Sequence, residues 1–422
     1  MGELSVIAHA PGRPIADDEL REQLGGALAG LDVRGKKVLA IIPDDTRTLP
    51  MPAVFEMIAT AVGPRARSLT ALIALGTHPP LTEDELARHL GPRWRSSPRV
   101  RLLQHRWDEP GALAQVGTIA AEEMEEISTG LFRVEVPIRV NRAVLDHDLV
   151  LLVGPVFPHE VAGFSGGHKY LFPGISGPEM VHASHWLGAL ITNPKVNGHR
   201  DTPVRALIER AAEAVPTPRA GISLVMRGPD LVGLYAGEVR EAWAEATQLS
   251  AEVNIVWAEQ AYPIVLSIAP PMYRELWTAG KCMYKLEPVV ADGGKLIIYA
   301  PHLREVSVTH GKWLHEVGYH VRDYFLSQWD RFRNVPWAVL AHSTHVKGIG
   351  TYRGGVERPR IEVVLATAIP EEVCRRVNLG YQDPTSVQPE ALAGRHGVLV
   401  VPSAGEMLWR LRSGDVPDID RL

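Results

Sequence analysis

Cysteine is nearly absent: Cys282 and Cys374 are the only two in 422 residues. That scarcity excludes a disulfide-stapled scaffold and a cysteine-rich zinc site, and it fits a reducing compartment. Long apolar runs are missing too, since none approaches the roughly 20 residues that a bilayer-spanning helix needs. Neither sign of charge dominates, with 44 Lys and Arg against 49 Asp and Glu and a net charge of −5. The two signs are interspersed, which argues against a nucleic-acid surface. The opening MGELSVIAHAPGRP has no basic stretch leading into an apolar core, so no secretory leader is expected and the cytoplasm is the expected location. Familiar chemical signatures are lacking as well. There is no G-x-G-x-x-G after a strand, no G-x-x-x-x-G-K-[ST], no G-x-S-x-G and no H-E-x-x-H. Rossmann dinucleotide, P-loop, serine-hydrolase and zincin readings therefore lose their defining parts.

What is present is an ordinary globular composition, 45% hydrophobic and 22% charged, in a chain long enough for two or three domains. Short β-branched runs at 36–42, 68–75 and 147–154 alternate with helix-like segments at 51–62 and 81–90. That alternation predicts a parallel, doubly wound sheet. Near residue 262 a second series begins, with strands expected at 261–269, 293–300, 336–343, 360–368 and 397–403, and helices at 272–290, 316–332 and 369–378. The expected fold is α/β: two α/β domains with a cleft between them, the N-terminal one doubly wound. Residues 1–258 form the first, 259–401 the second, and 402–422 a tail packing back on the N-terminal domain.

Four clusters carry groups suited to chemistry. PDDTRTLP (43–50) places Asp44, Thr46 and Arg47 between a strand and a helix, where backbone N–H groups attract anions and an Arg fork suits a carboxylate. The structural alternative is an Asp or Thr cap with an Arg paired to it. LGTHPP (75–80) puts His78 at a strand-to-loop junction, a place where a lone His is often only a surface or capping group. FPHEVAGFSGGHKYLFPGISGPEMVHASHW (157–186) is the densest: His159, then Lys169 in a glycine-rich loop, then His182 and His185 three residues apart. Spacing alone leaves His182 and His185 equivalent as metal ligands. ELWTAGK (275–281) adds Trp277, Thr278 and Lys281 in a predicted helix, where a partly buried Trp with a snorkelling Lys is the structural alternative.

Taken together, DDTR with a following proline, the GTH loop, His159-x9-Lys169 in GGHKYLFPG, the H-x-x-H and W-T-A-G-K resemble the lactate racemase family over nearly the whole chain. The resemblance implies a nickel-pincer nucleotide, a pyridinium mononucleotide whose two sulfur arms grip nickel, tethered through a thioamide to Lys169. It implies His185 as the protein nickel ligand, His78 and His159 as paired acid–base groups, and Asp44 and Thr46 beside the cofactor. Arg47, Lys281, Trp277 and Thr278 become substrate-contacting. The implied reaction is inversion of C2 of a 2-hydroxy acid by reversible hydride transfer, with cofactor biosynthetic proteins as maturation partners and neither nucleic acid nor membrane involved.

One position departs from the family. Where lactate enzymes carry a glutamine three residues before the substrate lysine, this chain has Thr278. Residues 342–355 add His345, Lys347, Tyr352 and Arg353. Both features predict a substrate larger than lactate, a sugar acid among the candidates. Competing readings are a metal-dependent hydrolase or lyase using His78, His159 and His185, and a non-catalytic cofactor-binding homologue.

Overall fold

A computed structural model describes residues 5–9, 12–92, 94–96 and 100–419. The chain divides into two compact units that interleave in sequence. The first comprises Met1–Phe157, Phe164–Val181 and Arg205–Val253, and the second comprises Pro158–Gly163, His182–Val204 and Asn254–Leu422. The boundary expected after residue 258 lies close to Asn254. The short segments 158–163 and 182–204, which a continuous division places in the first domain, cluster with the second unit.

The first unit is built on a seven-stranded sheet. Its order is Ser5–His9, Asp230–Gly237, Arg219–Arg227, Leu149–Pro155, Lys37–Pro43, Ser68–Ala74, Val100–Gln104. The last five strands are parallel, and Asp230–Gly237 and Ser5–His9 add antiparallel strands on one side. Lys37–Pro43 is buried after its first residue and Leu149–Pro155 throughout. Such unbroken apolar runs are what a parallel strand covered on both faces requires. From Lys37–Pro43 the chain steps outward twice, then returns to its other side through Leu149–Pro155. This reversal is the doubly wound switch point, the place where open α/β sheets bind ligands beyond their carboxyl ends. Helix Glu83–Leu90 shows local encoding at its start: the Thr82 hydroxyl accepts from the Glu85 N–H while the Glu85 carboxylate accepts from the Thr82 N–H.

The second unit holds a five-stranded parallel sheet ordered Gly380–Gln382, Glu362–Thr367, Val290–Ala300, Tyr262–Ile268, Val398–Val401. Its strand order reverses at Tyr262–Ile268. The strand expected at 336–343 is instead part of helix Trp337–Lys347, whose residues 338–346 are buried all round. A helix buried on every side has no 3.6-residue signal, and its apolar start, 337–341, reads like a buried strand. The helix expected over 272–290 is broken into Leu276–Ala279, Lys281–Tyr284 and a 3₁₀ turn, Glu287–Val289. The segment set apart as a tail contributes strand Leu408–Leu411, which pairs with Ile255–Ala258 inside the second unit. Among the described residues no helix is long and apolar enough to cross a membrane.

Candidate functional site

Adjacent strands of the first unit deliver the groups in 43–50 and 75–80 to one place. Asp44 follows strand Lys37–Pro43 and is buried. Its Oδ1 accepts from the Thr46 hydroxyl (2.8 Å) and the Thr46 N–H (3.3 Å), closing a tight turn. Its Oδ2 lies 2.5 Å from Nδ1 of His78, which follows the neighbouring strand Ser68–Ala74. A carboxylate at this contact can only accept, so Nδ1 carries a proton, and in the neutral ring Nε2 presents its lone pair. The pair is an oriented base.

The third arm is the glycine-rich segment after Leu149–Pro155. Lys169 sits half-buried in the 3₁₀ turn Gly167–Tyr170. Its glycines answer to packing. Gly166 and Gly167 have φ of +83° and +59°, and a Cβ at Gly167 would lie 2.9 Å from Trp243 Cγ. The Trp243 indole N–H donates to the Ser165 carbonyl (2.8 Å), and Arg205 donates to the carbonyls of Phe164 (2.5 Å) and Gly166 (3.4 Å). The Arg205 guanidinium also stacks 3.9 Å from the Trp243 ring centroid. His168, beside the lysine, donates from Nδ1 to Glu209 (2.6 Å) and accepts at Nε2 from Arg219 (3.0 Å), so both ring nitrogens are engaged in the buttress. Burial would raise the Glu209 carboxyl, but His168, Arg205 and Arg240 outweigh it and hold the group at about 2. A Gly76 N–H to Gly174 carbonyl bond (2.9 Å) ties the His78 loop to the end of this segment.

The second unit holds the remaining predicted groups. His159 is buried, and its Nδ1 accepts from the N–H of Val161 (3.1 Å) and, more loosely, of Ala162 (3.4 Å). Its neutral form therefore carries the proton on Nε2, the reverse of His78. The Glu160 carboxylate is 3.5 Å from the same Nδ1. Helix Pro178–Ile191 carries His182, whose Nδ1 accepts from the Ala338 N–H (3.4 Å) and whose pKa burial lowers to about 4. It also carries His185, half-buried, with the Ser184 hydroxyl 3.3 Å from its Nδ1.

Past the end of strand Tyr262–Ile268, the Trp277 ring lies between two imidazoles, His310 at 4.3 Å and His342 at 4.2 Å. Thr278 is buried, with its hydroxyl donating to the Glu275 carbonyl (3.0 Å). Lys281 is buried too, its ammonium 4.7 Å from the Tyr273 ring centroid. Lys285 donates to the Pro158 carbonyl, anchoring the segment that carries His159. Burial, with the imidazoles of His345, His310 and His185 nearby, holds His342 well below its ordinary value. Among the described residues no group of three or more His, Cys, Asp or Glu side chains is placed to hold a metal ion.

Comparison with known proteins now decides the family. Residues 7–197 match the lactate racemase N-terminal domain. Curated lactate racemases from Thermoanaerobacterium thermosaccharolyticum and Lactiplantibacillus plantarum are 24% and 23% identical over 310 and 313 residues, each match covering 71% of this chain. Over residues 7–197 the chain belongs to the lactate racemase family. It spans 66% of the length of those relatives, just under two thirds. A crystal structure of a Thermotoga maritima protein superposes with a TM-score of 0.88 at 32% identity, covering 95% of this chain and 99% of that one. The lactate racemase apoprotein from T. thermosaccharolyticum gives 0.71 at 17% identity, over 96% and 94%, a likeness of fold.

Within the first unit the structure brings Asp44, Thr46 and His78 into bonded contact, with Arg47 in the same turn. Within the second it places Trp277, Thr278 and Lys281 on one short stretch. Of the four polar groups expected from 342–355, three are taken up within the second unit. The Lys347 ammonium donates to the Asn378 carbonyl (2.6 Å), Tyr352 packs edge-on to Tyr324, and His345 is buried at a pKa of about 4. The imidazoles that reach Trp277 are His342 and His310. Sequence reading missed both, along with Arg205 and Glu209, because each lies far along the chain from the group it contacts.

Proposed function

We propose that this protein is a racemase or epimerase that inverts C2 of a 2-hydroxy acid. One observation carries the reading: at the sheet's switch point, in a chain of the lactate racemase family, a buried carboxylate fixes His78 with its Nε2 lone pair available. Inversion at C2 requires removal of the hydroxyl proton together with the C2 hydrogen and its electron pair, leaving a planar 2-keto acid. Return of both to the opposite face completes it. An imidazole suits the proton half near neutral pH.

The nickel-pincer nucleotide expected from the family fits the donor set. His185, half-buried with the Ser184 hydroxyl beside its Nδ1, would supply one imidazole donor to the metal, and the group's own sulfur arms would supply further donors. Lys169, half-buried on a turn braced by Arg205 and Trp243, suits a tether. The chemistry such a group supplies when bound is reversible acceptance of the C2 hydrogen as hydride. In this reading Arg47 presents a guanidinium fork and Lys281 an ammonium for the substrate carboxylate. His78 starts as proton acceptor and His159 as proton donor. To give up a proton from Nε2, His159 starts as the imidazolium, protonated at both ring nitrogens, and ends as the neutral ring.

We further infer a substrate larger and more polar than lactate, sugar acids ahead of aliphatic ones. Thr278 is shorter than the family's glutamine, and two imidazoles flank Trp277 beside it. A site with polar groups suited to extra hydroxyls rejects a ligand that leaves them unpaired. The test is chiral separation of the C2 epimers formed in D2O from lactate, malate, an aromatic 2-hydroxy acid and an aldonate, using protein matured with the cofactor biosynthetic proteins. Inversion of the aldonate without uptake of solvent deuterium at C2, lost in His78→Ala, supports the reading; no inversion of any substrate in nickel-loaded protein, or inversion with solvent deuterium at C2, overturns it.

A further inference from the structure

A second cavity in the first unit takes no part in this chemistry. It occupies about 1010 Å³ and runs from the amino ends of strands Lys37–Pro43 and Ser68–Ala74, at Lys37 and Ser68, along the edge strand Val100–Gln104. Asp44 and His78 follow the carboxyl ends of the first two of those strands, and neither borders this cavity. Its volume is at the upper limit of small-molecule pockets.

The charge of the lining is one-sided in a chain whose net charge is −5. Lys37, Arg67, Arg101 and Arg142 border the cavity and are exposed, and none has a carboxylate partner among the described residues. The fifth cation, Arg106, is paired with Asp108 and Glu109. Of the two lining carboxylates, Glu109 is committed to Arg106, which leaves Asp146. The surroundings are held in place. Arg142 donates to the Leu113 carbonyl (3.2 Å), and His147 is fixed between the Ala143 carbonyl (2.6 Å) and the Thr70 hydroxyl (2.9 Å). Helix Met51–Val62 ends at Gly63 on the same wall. Its carbonyl end amounts to about half a negative charge, too little to balance four cations. Like charges around one cavity repel until a counter-ion enters, and planar guanidinium forks favour phosphate oxygens.

We propose that this cavity binds a small ligand carrying two or more phosphate groups, separate from the site of the C2 chemistry. The shared chemistry is a di- or triphosphate; pyrophosphate and a nucleoside triphosphate distinguish the bare anion from a nucleotide, and inorganic phosphate serves as the single-phosphate control. Titration calorimetry on the full chain, without added cofactor, gives saturable one-to-one binding of pyrophosphate or ATP, at least tenfold tighter than phosphate and weakened by salt. The double variant Arg101→Gln, Arg142→Gln lowers that affinity at least tenfold, whereas Arg47→Gln changes it less than twofold. If the double variant does not fold, acylation of Lys37 read by peptide mass spectrometry replaces it, and pyrophosphate protects that lysine. Absence of saturable binding for both probes overturns the proposal. So does binding that Arg47→Gln abolishes and the double variant retains, or an unprotected Lys37.

Discussion

Replacing Asp44 by Asn isolates the orientation of His78 from the rest of the site. The carboxylate Oδ2 now accepts the His78 Nδ1 proton at 2.5 Å, while Oδ1 closes the turn through Thr46. Asparagine keeps one oxygen for Thr46, so the turn survives and the stability loss is about 1 kcal/mol. Toward His78, however, it presents an N–H, which forces Nδ1 to accept and moves the proton to Nε2. Loss of the charge-assisted bond alone removes about 1.5–3 kcal/mol, roughly ten- to a hundredfold in rate. The inverted tautomer adds to this, as in the serine-protease dyad, where the same exchange lowers turnover about 10⁴-fold. For Asp44→Asn we expect the rate of C2 inversion to fall by on the order of 10³ with retained nickel content, and ¹⁵N spectra of the unloaded protein to show the His78 proton moved to Nε2. Turnover within threefold of the parent, with the tautomer inverted, refutes His78 Nε2 as the base. An unmoved proton refutes the orienting role of Asp44.

Three further outcomes follow from the same contacts. Glu209, depressed to about 2 in the folded chain against 4.5 for a free carboxyl, contributes stability that is complete above pH 4.5 and lost as pH falls toward 2. That is on the order of 3 kcal/mol, so urea unfolding of Glu209→Gln shows a weaker fall between pH 5 and 3, and parallel curves for the two proteins contradict it. Gly167→Ala places a Cβ 2.9 Å from Trp243 at a φ of +59° and costs about 3 kcal/mol in denaturant unfolding; a loss below about 1 kcal/mol means the turn has room to adjust. Thr278→Gln restores the family's amide and raises kcat/KM for lactate relative to an aldonate by about tenfold, and an unchanged ratio removes Thr278 as the determinant.

Much of this protein is written in local pattern. The buried runs of Lys37–Pro43 and Leu149–Pro155 announce a parallel sheet, because only strands covered on both faces are apolar without alternation. Asp44, Thr46, His78 and Lys169 are legible because strand-to-loop junctions cluster polar groups that a core would exclude. Local pattern fails at 336–343, where uniform burial erases the period that separates helix from strand. It also misplaces 158–163 and 182–204, since membership of a compact unit depends on contacts with residues as far away as 285. Only the tertiary structure decided that the two histidines are loaded oppositely, His78 by Asp44 and His159 by the Val161 N–H. It alone tied the lysine turn to Arg205, Glu209 and Trp243. A tautomer or a buttress depends on which atoms meet across the fold, and their separation along the chain bears no relation to that meeting.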